Sequence, residues 1–238
     1  MISVCMAAYN GSKYIGEQID SILNQIKKDD ELIISDDGST DETCTIIKSY
    51  KDDRIRLLHG NFHDYTRNFE NALKHSKGDY IFLADQDDIW IEGKVLNCLK
   101  ALENSNCNLV VTDAIITDNN LNIIENSYFE YCRVKNGFFV NLLKSRYIGA
   151  CMAFHRRMLD VYLPIPGSSK YIAHDYWIAC ISELRGNVIL LHEPLMYYRR
   201  HAGTASQGIE KRSKKGILEK LYKRIYICIY IVRRIKSL

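Results

Sequence analysis

Over the first ninety residues, short apolar runs alternate with helix-patterned segments across connections of a few residues, and this alternation most narrows the possible folds. Ile2 to Ala7 is an apolar run closed by the turn signal Tyr9-Asn10-Gly11 and reads as a buried strand. Ile15, Ile19, Ile22, Leu23 and Ile26 then recur at helical spacing. A second strand runs from Glu31 to Ser35. Ser39 and Glu42 stand at capping-box spacing before a helix through Ile46, Ile47 and Tyr50. Ile55 to Leu58 is a third strand, Thr66 to His75 a helix with Phe69 and Leu73 on one face, and Tyr80 to Leu83 a fourth strand. The pattern predicts an α/β fold with a mostly parallel central sheet flanked by helices.

The second half is less regular. It predicts strands at Leu109 to Thr112 and Ala150 to Phe154, and a turn at Asn119-Asn120 between Ile115-Ile116 and Ile123-Ile124. A helix over His174 to Arg185 carries Trp177, Ile181 and Leu184 inward, and a strand from Val188 breaks at Glu193-Pro194. The expected catalytic domain covers 1–206, with an appendage over 207–238.

In parallel α/β sheets, ligands bind beyond the carboxyl ends of the strands near the switch point in strand order. The acidic pairs fall there: Asp36 and Asp37 end the second strand, and Asp85, Asp87 and Asp88 follow the fourth. Asp-rich turns can simply cap helices. Three carboxylates within four residues, however, call for a compensating cation. Oxygen donors without a His/Cys cluster suit Mg²⁺ or Mn²⁺ bridging a diphosphate. Neither GxGxxG nor GxxxxGK[ST] occurs, so a nucleotide would be held through a metal rather than a glycine-rich loop.

Charge and cysteines narrow the remaining classes. From Glu210 onward ten lysines and arginines face two glutamates, while the rest of the chain is mildly acidic. Ile217, Leu218, Leu221, Tyr222, Ile225 and Ile229 recur there at helical spacing, so the tail reads as a basic amphipathic helix for an anionic membrane surface, or as one packed on the domain. The body has no basic stripe, which excludes nucleic acid as the expected partner. No apolar stretch is long enough to span a bilayer. With no signal-peptide pattern at the start, the eight scattered cysteines read as reduced and mostly buried, and the expected location is cytoplasmic.

The ordered series SVCMAAYNG, IISDDGSTDET, TRNFENALKHSKGDYIFLADQDDIW, IGACMAFHRRML, HDYW and YYRRHAGTAS resembles glycosyltransferase family 2 over about residues 2–206. The resemblance implies a GT-A fold, a nucleotide-diphosphate sugar donor (UDP- or dTDP-linked), a divalent metal, and inversion at the anomeric carbon. LADQDDIW and HDYW resemble bacterial transferases of O-antigen, capsule and other surface polysaccharides, which implies a lipid-linked saccharide acceptor at the inner face of the cytoplasmic membrane. Carried over by residue, Ala7 and Tyr9 belong to the nucleoside pocket, Asp37 to the base, and Asp36 to the ribose or to structure. Arg67 and Asn68 face the nucleotide. Asp85 and Asp87 match the metal-binding DxD, with Asp87 the direct ligand, while Asp88 and Trp90 border the donor sugar. Asp175 matches the general base, and His201 a histidine at the diphosphate or metal, with Arg199 as a possible helper. Gly149-Ala150-Cys151 would be small to let the acceptor approach. The alternatives are a metal-dependent nucleotidyl- or phosphoryl-transfer enzyme, and a non-catalytic membrane-associated binding protein working through its tail.

Overall fold

The computed structural model describes residues 1–104, 107–168, 170–200 and 217–236. The alternating half folds as the patterning predicts. Strand β1 (Ile2–Ala8) leads to helix α1 (Ile15–Leu23), then β2 (Glu31–Asp36), α2 (Thr43–Ser49), β3 (Ile55–His59), α3 (Tyr65–His75) and β4 (Tyr80–Asp85). Strands β1 and β2 and the middle of β4 are almost wholly buried, which explains their continuous apolar runs. Next come β5 (Ile89–Trp90), α4 (Lys94–Asn104), β6 (Leu109–Thr117), β7 (Ile123–Glu125), α5 (Tyr128–Cys132) and α6 (Phe138–Lys144). The chain closes with β8 (Met152–His155), α7 (Leu159–Tyr162), α8 (His174–Arg185), β9 (Val188–Arg199) and α9 (Ile217–Lys236).

The strands form one sheet in the order β3-β2-β1-β4-β8-β6-β9-β5, with β7 on β6. From β1 the chain builds outward through β2 and β3, then returns to place β4 on the other side of β1, so the switch point lies between β1 and β4.

Four expectations are corrected. The sheet is mixed, because β8 inserts antiparallel to both β4 and β6, and β5 and β7 also pair antiparallel. The Ser39/Glu42 box does not form: the Ser39 hydroxyl bonds Asp36 and receives the Asn10 N–H, so α2 starts only at Thr43 with no side-chain cap. Strand β9 continues through Pro194, where a register shift opposite Thr112 and Asp113 accommodates the missing N–H. Leu184 is exposed at 41%, although Trp177 and Ile181 are buried as expected. None of the eight cysteines is paired, and five are buried.

Helix α9 lies against the domain. Ile227 and Ile231 are buried, Tyr226 stacks on Tyr171 with centroids 5.3 Å apart, and Arg234 donates to the carbonyls of Leu163 and Pro164. Among the described residues no helix is long and apolar enough to cross a membrane.

Candidate active site

Parallel register brings the sequence's acidic pairs to one edge. Ala8 stands beside Asp36 and Ala7 beside Asp85, so the ends of β1, β2 and β4 form one rim. The loop after β1 is stitched across this rim by side-chain to backbone bonds. Gln86 Nε2 donates to the Tyr9 carbonyl and its Oε1 accepts the Tyr9 N–H, both at 2.9 Å. A methyl group on Gly11 would overlap that amide, so only glycine leaves room for it. Thr43 Oγ1 accepts the Gly11 N–H and Asp41 the Ser12 N–H. The Tyr9 ring is left 52% exposed over the rim.

Asp36 and Asp37 hold the loops in shape. Asp36 accepts the N–H groups of Gly38 and Ser39 and the Ser39 hydroxyl. Asp37 reaches across to the loop after β3 and accepts the N–H groups of Phe62, His63 and Asp64. Both carboxylates are buried and each has several donors. Asn68 is likewise buried, with Nδ2 on the Ala8 carbonyl at 3.0 Å. Arg67 takes a different place from the one expected: its guanidinium bonds Glu70 and the carbonyls of Ile165 and Gly167, pinning that loop to α3.

The carboxylates beyond β4 crowd one another. Asp85 is pushed up to about 8, first by burial and then by Asp87 and Asp175, with Lys94 opposing. Asp88 is buried and held well above the usual carboxylate range, first by burial and then by Asp87 and Asp85. Its Oδ1 accepts the Arg199 N–H at 3.0 Å, while its Oδ2 is buried with no hydrogen-bond partner. An orphaned carboxylate oxygen amid excess negative charge, with only oxygen donors, fits a hard divalent cation. Asp36, Cys44 and His59 also bring ligand atoms within 4.8 Å of one another, but the Asp36 oxygens are already engaged in the turn.

Lys94 is a site residue that no sequence motif marks. It opens α4 with 1% exposure, donates to the Ala150 carbonyl at 2.8 Å, and lies 4.9 Å from the Trp90 ring centroid. It is the buried cation that opposes the upward shifts of both Asp85 and Asp88. Trp90, expected beside the donor sugar, is instead a core residue: 3% exposed, packed near Phe82, with its strand paired to β9.

Asp175 lies in the first turn of α8, half-buried, and is among the carboxylates that raise Asp85 and the Tyr65 hydroxyl. His174 beside it is an aromatic spacer. Its ring stacks on Phe69 at 3.9 Å, both ring nitrogens are buried without partners, and burial lowers its pKa against the pull of Asp175 and Asp64. A Cβ on Gly149 would sit 2.6 Å from His174 Nε2 and 3.4 Å from Asp175 Cβ. Small size at 149 therefore serves the seat of α8. Asp175 also lines a cavity of about 360 Å³ between the end of α6 and helices α8 and α9.

Arg199, expected as a helper at the diphosphate, is 4% exposed and bonds Glu17 and the Asn119 carbonyl across the Tyr14 ring. His201 lies outside the described residues. Lys13, the cation in the loop after β1, sits 4.9 Å from the Tyr14 ring centroid.

The model of the family described as "Glycosyl transferase family 2" matches residues 3–163. The Escherichia coli UDP-Glc:alpha-D-GlcNAc-diphosphoundecaprenol beta-1,3-glucosyltransferase WfgD is 31% identical over 190 residues, 79% of this chain and 72% of that protein. The E. coli UDP-Glc:alpha-D-GlcNAc-diphosphoundecaprenol beta-1,3-glucosyltransferase WfaP is 39% identical over 104 residues, 43% of this chain and 41% of its own length. Among solved structures, Staphylococcus aureus TarS 1–349 in complex with UDP superimposes with a TM-score of 0.65 at 21% identity, covering 84% of this chain and 60% of that one. The chain thus spans less than two thirds of WfaP and of the TarS fragment.

Proposed function

This chain belongs to glycosyltransferase family 2, and on that premise we propose that it moves a hexose from a UDP- or dTDP-sugar to a hydroxyl of a lipid-linked saccharide, with inversion, in bacterial surface-polysaccharide assembly. Residues 1–206 act as the catalytic unit, and 207–238 hold it peripherally on the inner face of the cytoplasmic membrane. The observation that carries this reading is the meeting of Asp85 with Asp87 and Asp175 at the switch point. The likeness to WfgD supports a diphosphate-linked acceptor.

In this reading the nucleoside lies against Ala7 with the Tyr9 ring over its base, and Asp36 and Asp37 keep the walls of that pocket in place. Asp85 and Asp87 would hold Mg²⁺ or Mn²⁺, which supplies positive charge to the donor diphosphate as it leaves. The family resemblance adds His201, outside the described residues, as a further candidate for the metal or diphosphate. Lys94 keeps Asp85 and Asp88 from repelling each other out of position. Asp175 takes the proton of the accepting hydroxyl, whose oxygen attacks the sugar from the face opposite the departing diphosphate.

The test is release of nucleoside diphosphate from a panel of nucleotide sugars with Mn²⁺ or Mg²⁺. One donor should respond, and the release should vanish with EDTA and in Asp87→Ala. A panel without release, together with no metal-dependent nucleoside diphosphate binding, would overturn the reading in favour of a non-catalytic binding protein.

A further inference from the structure

The cavity that Asp175 lines is cationic at its other walls. Lys144 closes α6, Lys223 and Arg224 come from α9, and Leu143, Ser145, Tyr147 and Tyr176 complete the lining. The Arg224 guanidinium donates to the Leu143 carbonyl at 2.5 Å, which fixes α9 against the end of α6. The Tyr147 hydroxyl is already engaged by Glu183, whereas Ser145 Oγ is buried without a hydrogen-bond partner. Three basic residues and one carboxylate thus line a space of about 360 Å³.

The same two helices carry an apolar surface. Phe139 is 74% exposed and Leu143 60% on α6. Leu221, Ile225 and Ile229 on α9 recur every four residues and are about half exposed, while Ile227 and Ile231 of that helix are buried. A cation cluster bordered by an outward apolar face fits a ligand with an anionic head and a hydrocarbon chain.

We propose that this cavity binds the diphosphate of the lipid-linked acceptor, with the chain leaving over the exposed residues of α6 and α9. The proposal rests on the glycosyltransferase reading above. A diphosphate answers the three cations, and a neutral polysaccharide end would not. Because Asp175 lines the same cavity, the accepting hydroxyl belongs to a sugar close to the diphosphate. The acceptor is therefore a short saccharide rather than the far end of a long chain.

The experiment uses the full chain with Mn²⁺ and saturating UDP or dTDP, so that the donor pocket is filled. Dodecyl diphosphate, inorganic pyrophosphate and dodecanol are titrated by calorimetry, and phosphatidylcholine vesicles carrying phosphatidylglycerol by co-sedimentation. Dodecyl diphosphate should bind best. Lys144→Glu, at an exposed position where folding is not at stake, and Lys223→Glu should each weaken it at least tenfold while nucleoside diphosphate binding holds. Equal binding of dodecyl diphosphate by wild type and both variants would overturn the site. So would variants that lose only vesicle binding, which would make the cations a phospholipid-headgroup surface. Nucleoside diphosphate bound but dodecyl diphosphate ignored overturns this site alone. Failure to bind any nucleoside diphosphate overturns the functional reading beneath it.

Discussion

Gln86 holds the backbone of Tyr9 at both its N–H and its carbonyl, so the middle residue of the DxD fixes the loop that follows the first strand. Gly11 makes room for this clasp. Gly11→Ala should therefore expel the Gln86 amide and forfeit both bonds. Two hydrogen bonds of this kind are worth about 1–2 kcal/mol together. Gly11→Ala and Gln86→Ala should each lower stability by that amount in urea unfolding. The double variant should cost about the same as either single one. Fully additive losses would mean that the two residues act separately.

Asp85 makes stability depend on pH. Its carboxyl is pushed up to about 8 in the folded chain, against about 3.9 for an unfolded aspartate. The folded state thus keeps a proton that the unfolded state has lost between those values. In EDTA the contribution is fully present below about pH 4 and lost as pH rises through 8. The ceiling for one proton is about 1.4 kcal/mol per pH unit. Thermal unfolding in EDTA should show Asp85→Asn flattening this decline, with added Mn²⁺ restoring wild-type stability most strongly at high pH. A wild-type profile flat between pH 5 and 8 would contradict the crowding.

Lys94 supplies the opposing charge to Asp85 and Asp88. Removing one member of a buried ionic group leaves the others uncompensated, typically at a cost of 3–5 kcal/mol. Lys94→Met should lose about that much at pH 8. At pH 5, where the Asp85 carboxyl holds its proton, it should lose distinctly less. Equal losses at both pH values would reduce Lys94 to a packing residue.

The legible parts of the molecule are those with local causes. Continuous apolar runs gave β1, β2 and β4 because these strands are buried, and the acidic pairs at their ends followed from the alternation with helices. Strand direction leaves no trace in period-two patterning, so the antiparallel insertion of β8 and the β5–β9 pair were invisible. The tasks of Asp37 and Arg67 depend on loops about 25 and 100 residues away. Lys94 did leave a signal. It precedes Cys98 and Leu102 by four and eight residues on the buried face of α4, a position where a lysine needs a reason.

Gly149 and His174 decide where Asp175 stands. A Cβ on Gly149 would stand only 2.6 Å from His174 Nε2, a clash, and the His174 ring is held on Phe69. Asp175→Asn should lower kcat by about 10²–10⁴-fold, the range for loss of a positioned general base, with donor binding unchanged. Gly149→Ala should lower kcat in the same direction by displacing the first turn of α8, again without weakening nucleoside diphosphate binding. Trimming the obstacle separates the two cases: Gly149→Ala combined with His174→Ala should recover part of the lost turnover, whereas His174→Ala should recover none in Asp175→Asn. Steady-state kinetics with the donor identified in the screen, alongside calorimetric titration of its nucleoside diphosphate, reads both quantities. Normal turnover in Asp175→Asn would remove this residue from the chemistry and leave its carboxylate as the acceptor of the Tyr176 N–H in the first turn of α8.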